Sequence, residues 1–336
     1  MFDGFESKVQ QPKICLVTGA TGVVGPPLVR ELTANHQTVR ILSRSEIPAD
    51  MFSPQVEIVR GDLNDRKALE KASDGAQWIF HLAAKLHINN PGADLQREYH
   101  ESNVAGTENL IRTAAKQKVE KFVFFSTINV YGPSDGSGIF DERDEIAPLG
   151  FYAESKAAAE KLVLAEKSGV VLRLAAVYGS RMKGNYVRLL EALRRNRFLF
   201  IGTGRNRRTL IHHDDVARAA ILAAERAPAG TIYNVTDGSV HAFSEIIAAM
   251  SEALGKPAPK AHLPLWPVKL GVDVAEELGK LLKINSPVNR ALLAKLLEDV
   301  AVSGGKLRDE LGFYPQFDLK AGWCETVNSQ QSTVNR

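Results

Sequence analysis

The chain is expected to form an α/β fold, a doubly wound parallel sheet joined to a smaller, mostly helical C-terminal lobe. Three observations predict it. Short runs that are apolar along their whole length alternate with longer stretches of helical spacing through the first half. Such runs mark strands buried on both faces, as in parallel sheets. A glycine-rich turn lies between the first run and the first helical stretch, and after about Gly179 the alternation gives way to arginine-rich and then mainly helical sequence.

In chain order, strands are expected at Ile14–Val17, Val39–Leu42, Val56–Arg60, Trp78–His81, Lys121–Ser126 and Val170–Leu174. Helices are expected near Val24–Ala34, Asp65–Ala72 and Ser102–Gln117, with another starting near Tyr152. The second half carries an arginine-rich loop over 194–208, a helix at Asp214–Ala227, a short strand at Ile232–Val235 and a helix at Phe243–Leu254. A proline-rich link over 257–267 leads to more helix, out to about Asp299. The polar end, Asn328–Arg336, is expected to fray.

Composition excludes several classes. Of 336 residues, 44% are hydrophobic and 24% charged, as in an ordinary globular protein. A net charge of +3 gives no case for nucleic acid. Two cysteines cannot build a disulfide framework or a cysteine-rich zinc site, and they suit a reducing cytoplasm. Cys15, inside Ile14-Cys15-Leu16-Val17, reads as a small core residue. Residues 1–12 lack the basic start and apolar run of a targeting peptide. No stretch approaches the ~18 apolar residues of a membrane helix.

The turn Thr18-Gly19-Ala20-Thr21-Gly22-Val23-Val24-Gly25 follows a strand and opens a helix. Gly19 permits the tight bend, Gly22 lets backbone approach a pyrophosphate, and Gly25 lets helix and strand pack closely. The helix N-terminus then offers N–H groups and positive partial charge to phosphates. At the end of the second strand stand Ser43 and Arg44 in place of an acid. An acid would bind ribose hydroxyls and repel a 2′-phosphate, whereas a hydroxyl and an arginine accommodate one, so NADP is favoured over NAD.

Tyr152-Ala153-Glu154-Ser155-Lys156 places a phenol and an ammonium one helical turn apart. A free tyrosine titrates near ~10. A nearby ammonium and a nicotinium charge lower that value, so the phenol can serve as acid or base. Thr127, 25 residues earlier, ends the fifth strand, where a hydroxyl can hold the same substrate oxygen.

With these motifs in this order, the chain resembles the extended short-chain dehydrogenase/reductases of the NAD(P)-dependent epimerase/dehydratase type. The resemblance includes His81-Leu82-Ala83-Ala84, Asn103-Val104-Ala105-Gly106-Thr107, Leu172-Arg173-Leu174, Val177-Tyr178-Gly179 and Lys306 to Phe313. It implies a Rossmann-type NAD(P)-binding domain over 13–180, after an extension at 1–12. A substrate lobe at 181–327, with segments returning to the Rossmann core, and a tail at 328–336 complete it. It also implies cofactor contacts from Gly19, Thr21, Gly22, Val23, Val24, Gly25, Ser43, Arg44, Asp62 and Leu63, the last two near the adenine. Leu82, Ala83, Ala84, Lys85, Asn103, Ser126, Tyr152, Lys156, Ala176 and Val177 complete that set. Lys156 would also touch the nicotinamide ribose. Relatives often form homodimers, through helices equivalent to 102–117 and 152–167.

The sugar dehydratases of this type carry Asp-Glu after the strand-end threonine. Here Ile128-Asn129 stands there. Isoleucine transfers no proton and asparagine is a poor acid, so hydride transfer without loss of water is expected. Arg208, in Gly202-x-Gly204-x-x-x-Arg208, resembles an arginine that grips a nucleotide diphosphate, and Asn185 resembles a nucleotide contact. His87 lies where it would approach substrate. The other arginines of the loop read as solvated. His212 and His213 read as surface or hydrogen-bonded side chains, Asp214 and Asp215 as N-cap and first-turn acids. No metal is expected.

Three readings follow. The first is a nucleotide-diphosphate-sugar 4-epimerase or 4-ketoreductase. The second is an NADP(H)-dependent reductase or dehydrogenase of a non-nucleotide alcohol or ketone, resembling 3β-hydroxysteroid dehydrogenases, with Leu263–Val268 lining an apolar pocket. The third is a nucleotide-sensing binding protein, which the intact Thr127, Tyr152 and Lys156 oppose.

Overall fold

The computed structural model describes residues 12–86, 94–134, 136, 138–282, 290, 293 and 297–334. Its central sheet is parallel and seven-stranded. The strands are β1 (Ile14–Thr18), β2 (Thr38–Ser43), β3 (Glu57–Arg60), β4 (Trp78–His81), β5 (Lys121–Thr127), β6 (Gly169–Leu174) and, far along the chain, β11 (Thr231–Val235). Their spatial order is β3-β2-β1-β4-β5-β6-β11. The order reverses between β1 and β4, and such a switch point opens a crevice at the carboxyl ends of the strands.

Alternation along each strand divides the core between the two faces. From β1, Cys15 and Val17 point to one side with Leu28 and Leu32 of α1 (Gly25–Ala34). On that side α7 (His213–Arg226) adds Val216 and Ala220. Leu16 points to the other side, with Leu69 of α2 (Arg66–Ser73), Leu110 of α4 (Gly106–Lys116) and Val163 of α5 (Phe151–Leu164). Cys15 is the core residue expected of it: burial pushes its thiol up to about 12.

Between the sheet's strands run α3 (Leu95–Tyr99) and a π-helical segment at His100–Ala105, directly before α4. The sequence reading began this helix at Ser102. The wider turn sets Tyr99 and Asn103 inward together, both nearly fully buried, which no apolar periodicity announces.

The lobe combines α6 (Asn185–Arg194), α8 (Phe243–Ala253), α9 (Leu265–Leu282) and α11 (Leu319–Val334) with short ladders, while α10 (Gly305–Leu311) returns to the sheet, where Leu307 and Leu311 join the core beside β11. The ladders pair β7 (Ala176–Tyr178) with β10 (Leu210–His212), β8 (Phe200–Ile201) with β13 (His262–Leu263), and β9 (Arg207–Arg208) with β12 (His241–Ala242). Its core gathers Tyr178, Leu190, Phe200, Ile247, Met250 and Trp323. Two expectations change here. Helix α9 starts inside the proline-rich link, because Pro267 falls in its first turn, where the missing N–H would have no partner anyway. The polar end does not fray at Asn328. Val327 is fully buried, and Gln330 bonds Ser180 and Arg194, so α11 runs on to Val334. Among the described residues no helix is long and apolar enough to cross a membrane.

Candidate active site

The glycine turn between β1 and α1 has the geometry its spacing predicts. Gly19 has φ +73°, and a Cβ there would stand 2.5 Å from the Ala83 nitrogen. A Cβ on Gly25 would stand 2.0 Å from the Ala20 oxygen. Gly22 is different. Its Cβ would meet only the Gly19 oxygen, at 3.3 Å. Protein packing explains Gly19 and Gly25, while a bare Gly22 matters most to something approaching from the cleft.

That cleft has a volume of about 690 Å³. It runs from the turn past Ser43, Arg44, Asp62 and Leu63 to Thr127, Tyr152, Lys156 and Val177. Thr21, Val23, Val24, Leu82, Ala83, Ala84, Lys85 and Ser126 line it too. Glycine backbone at a helix N-terminus, strand ends along one wall and a Tyr-Lys pair at the far end fit a dinucleotide. Ser43 donates to the Ser45 carbonyl at 2.9 Å. The Arg44 side chain is 76% exposed and only loosely paired, at 3.6 Å from Asp62. It can therefore swing to an incoming anion at little cost.

Two residues expected to touch cofactor do not line the cleft: Ala176, on β7, and Asn103. Asn103 is fully committed elsewhere. Its Oδ1 accepts the Lys85 N–H at 2.7 Å, and its Nδ2 donates to the Lys85 carbonyl and, at 3.0 Å, to Ser155 Oγ. It ties the wall after β4 to the helix that carries Tyr152 and Lys156. The Lys85 ammonium pairs with Glu98.

Thr127 closes β5 and caps the short helix Ile128–Tyr131, accepting the Asn129 N–H at 3.2 Å. Tyr152 lies beside Tyr99, ring centroids 6.2 Å apart. Burial pushes its phenol up to about 12, and Tyr99 adds to this. An ammonium and a nicotinium charge are the influences expected to lower it; the protein's own enclosure acts the other way, and the phenol it buries is a proton donor. Lys156 is 2% exposed, with Nζ 3.9 Å from the centre of the Phe124 ring. Burial pulls it down to about 7, and Glu160, one turn on, pushes partly back. Glu160 accepts from Ser126 Oγ and forms an ion pair with Arg173 at 2.8 Å. Those two side chains are 2% and 4% exposed. The Ser126 hydroxyl is thus engaged beneath the cleft, though the residue lines it.

A buried relay runs behind the cleft wall. The Ala83 N–H reaches Thr18 Oγ1 at 3.3 Å, and Thr18 Oγ1 lies 2.7 Å from His81 Nδ1. His81 Nε2 lies 2.8 Å from Thr107 Oγ1, which donates to the Asn103 carbonyl at 2.6 Å. Thr107 has spent its proton, so His81 carries hydrogen on Nε2 and accepts from Thr18 on Nδ1. The ring is neutral. Burial, then Lys156, pulls it from 6.5 down to about 3. Above about pH 6.5 it is unprotonated folded or unfolded and contributes no pH dependence. Below that the unfolded chain binds a proton that the folded chain refuses, so stability falls as pH drops toward 3. Between pH 7.5 and 4.5 this one residue should account for about 2–3 kcal/mol. Urea unfolding at the two pH values checks it. If His81→Asn leaves the acid sensitivity unchanged, the account is wrong.

The substrate side is less complete. His87 lies outside the described residues. Asn185 opens α6 and Arg208 lies in β9; neither lines the cleft. Arg208 is 14% exposed and 3.7 Å from Glu298. Of the other loop arginines, Arg207 is clamped by Asp299 at 3.0 Å and Arg194 by Glu191 at 2.7 Å. Leu263 and Trp266 do not line the cleft and are 40% and 73% exposed. At the start of α7 both histidines are buried: His212 is hydrogen-bonded to Glu325 at 2.9 Å, one of the two states expected of it, whereas His213 is neither on the surface nor hydrogen-bonded. The N-cap is His212, with no side-chain cap. Asp215 is a first-turn acid, but its carboxylate accepts the Gln316 and Phe317 N–H groups at 2.9 and 3.0 Å, capping a distant loop.

Sequence reasoning missed Ser45, Gly61, Asn64, Glu98, Glu101 and Ser102, which also line the cleft. Ser45 and Gly61 lie just past strand ends already placed there, so that signal was present. Glu98 and Glu101 belong to the stretch before Ser102 that was not read as helix.

Comparison with known proteins agrees with this geometry. A UDP-glucose 4-epimerase of Vibrio cholerae is 29% identical over 340 residues, covering 97% of this chain and 98% of that one. The 4-hydroxy-2-methyl-3-oxo-4-farnesyl-3,4-dihydroquinoline-1-oxide ketoreductase of Stigmatella aurantiaca is 29% identical over 308 residues, covering 88% and 90%. Among solved structures, MoeE5 in complex with UDP-glucuronic acid and NAD superposes with TM-score 0.73 at 27% identity, covering 95% of this chain and 99% of that one. The family model for NAD dependent epimerases/dehydratases matches residues 15–236. That match spans the glycine turn, the strand ends along the cleft and the Tyr152–Lys156 helix, and the chain belongs to the NAD dependent epimerase/dehydratase family.

Proposed function

We propose that this protein is an NADP(H)-linked oxidoreductase acting at C4 of a nucleotide-diphosphate sugar, with net reduction of a 4-keto sugar as its principal reaction. The observation that carries this reading is the convergence of Thr127, Tyr152 and Lys156 on the cleft that holds the glycine turn. A bound nicotinamide dinucleotide supplies the hydride. Tyr152, protonated at working pH, delivers the proton to the keto oxygen. Thr127, whose Oγ1 already accepts from Asn129, turns its own O–H toward that oxygen. Lys156 holds the cofactor ribose and restores the proton to the phenol. Ile128 is 5% exposed and packed in the core, so no acid stands ready to expel a hydroxyl at the strand end. Arg208 takes the diphosphate and Asn185 the nucleotide.

The NADP(H) preference is supported by Ser43 and the exposed, loosely paired Arg44. Ser43→Asp puts a carboxylate where a 2′-phosphate would lie. It should lower the NADPH-over-NADH ratio of kcat/KM by about tenfold or more, equivalent to ~1.4 kcal/mol. A wild-type enzyme that treats the two cofactors alike would remove the preference.

A second reading, reduction of an apolar ketone, is favoured by the exposed Leu86, Leu149 and Phe151 close to Tyr152 in sequence or in the cleft wall. The ketoreductase relative acts on a farnesylated ring. The assay that separates them is NADPH oxidation with UDP- or dTDP-linked 4-keto-6-deoxy sugars and, in parallel, with farnesylated or steroid ketones. Turnover of the sugar nucleotide, lost in Arg208→Ala, supports the first. Turnover of the apolar ketone alone, indifferent to Arg208, overturns it.

A further inference from the structure

At the junction of sheet and lobe, α7 opens beside a cluster of buried groups that the proposed reaction does not use. His212 is completely buried and His213 is 4% exposed. His212 Nε2 lies 2.9 Å from Glu325 Oε2, on α11. His212 Nδ1 and both ring nitrogens of His213 have no hydrogen-bond partner. A buried nitrogen left unmatched is destabilising, and three in adjacent residues call for an explanation.

The chain makes room for these rings. A Cβ on Gly179 would stand 1.9 Å from His213 Cδ2. Phe317 packs 4.1 Å from the His212 ring, centroid to centroid. A nitrogen from each histidine and an oxygen of Glu325 all lie within 4.8 Å of one another. Ligands of a tetrahedral zinc stand about 3.4 Å apart, from bond lengths near ~2.1 Å. Rotation of side chains by about 1 Å closes the difference. Glu325 also has its outer support: its Oε1 accepts from Ser329 Oγ at 2.5 Å, as ligating carboxylates commonly do. None of the three residues lines the cofactor cleft.

We propose that His212, His213 and Glu325 bind one zinc ion, which fastens α11 to the start of α7. Two imidazoles and a carboxylate suit zinc among the available divalent metals, with water as the fourth ligand. The three residues come from segments more than a hundred positions apart in sequence, so the ion closes a long loop and its effect is on stability.

The test uses the full-length protein, stripped with chelator and titrated with zinc chloride against a chromophoric zinc indicator. One zinc per chain is expected, together with a raised Tm. Glu325→Gln, a conservative change at a half-buried position, and His213→Gln should each weaken binding by about a hundredfold or more. Cys324→Ser, beside Glu325 but exposed, should bind as wild type. Failure of the wild-type protein to take up stoichiometric zinc overturns the site. So does retention of full affinity by Glu325→Gln and His213→Gln. Zinc that binds without moving Tm overturns the fastening role.

Discussion

Tyr152→Phe should lower kcat by about a thousandfold, within the ~10²–10⁴ range for a positioned acid, while KM changes little. Burial keeps this phenol protonated up to about 12, and phenylalanine fills its place beside Tyr99 without the proton. NADPH fluorescence should still report cofactor binding, because the glycine turn and Lys156 are untouched. The measurement is steady-state NADPH oxidation with the 4-keto sugar nucleotide. A variant retaining more than about a tenth of wild-type kcat would remove Tyr152 from the chemistry.

The second large effect is on stability. Arg173→Leu should destabilise the protein by about 3–5 kcal/mol, because it leaves the Glu160 carboxylate buried without its partner. Both side chains are almost wholly enclosed, and Arg173 also lies over the Tyr131 ring, 4.8 Å from its centre. The double variant Arg173→Leu with Glu160→Gln should recover much of that loss, since no buried carboxylate is left unpaired. Urea unfolding of the set checks this. Equal destabilisation in single and double variants would mean that packing, not charge, is what Arg173 supplies. Because Glu160 also pushes the Lys156 charge up from below, the double variant should shift the pH dependence of turnover even where it restores stability.

Much of this was legible from residues alone, for a physical reason. Gly25 answers to the Ala20 backbone within the turn and Gly19 to its own positive φ, and local backbone demands of that kind leave a residue type behind. Tyr152 and Lys156 are one turn apart on one helix, so spacing is enough to pair them. What escaped reading depends on partners distant in sequence. Asn103 appeared to be a cofactor contact because its motif resembles one, but its amide bridges Lys85 and Ser155. His212 and His213 read as surface or hydrogen-bonded side chains, and nothing nearby in sequence shows that α11 and Phe317 will cover His212. The tyrosine's own titration went the other way for the same reason: burial is a property of the assembled cleft. Helix ends failed where tertiary anchors override local polarity, as Gln330 does for the last turns of α11.

Strand β11 has a consequence for how the protein is made. The chain leaves the sheet after β6, builds α6 and α7 with the ladders between, and only then supplies β11 along the open edge of β6. A nascent chain stopped at Gly179 would present Val170, Val171 and Leu172 on an unpaired edge and leave Leu28 and Leu32 without α7. Exposed edges and uncovered apolar helices invite association. The seven-stranded sheet is therefore complete only once the chain has supplied β11, up to Val235, so that segments before and after the lobe close one core together.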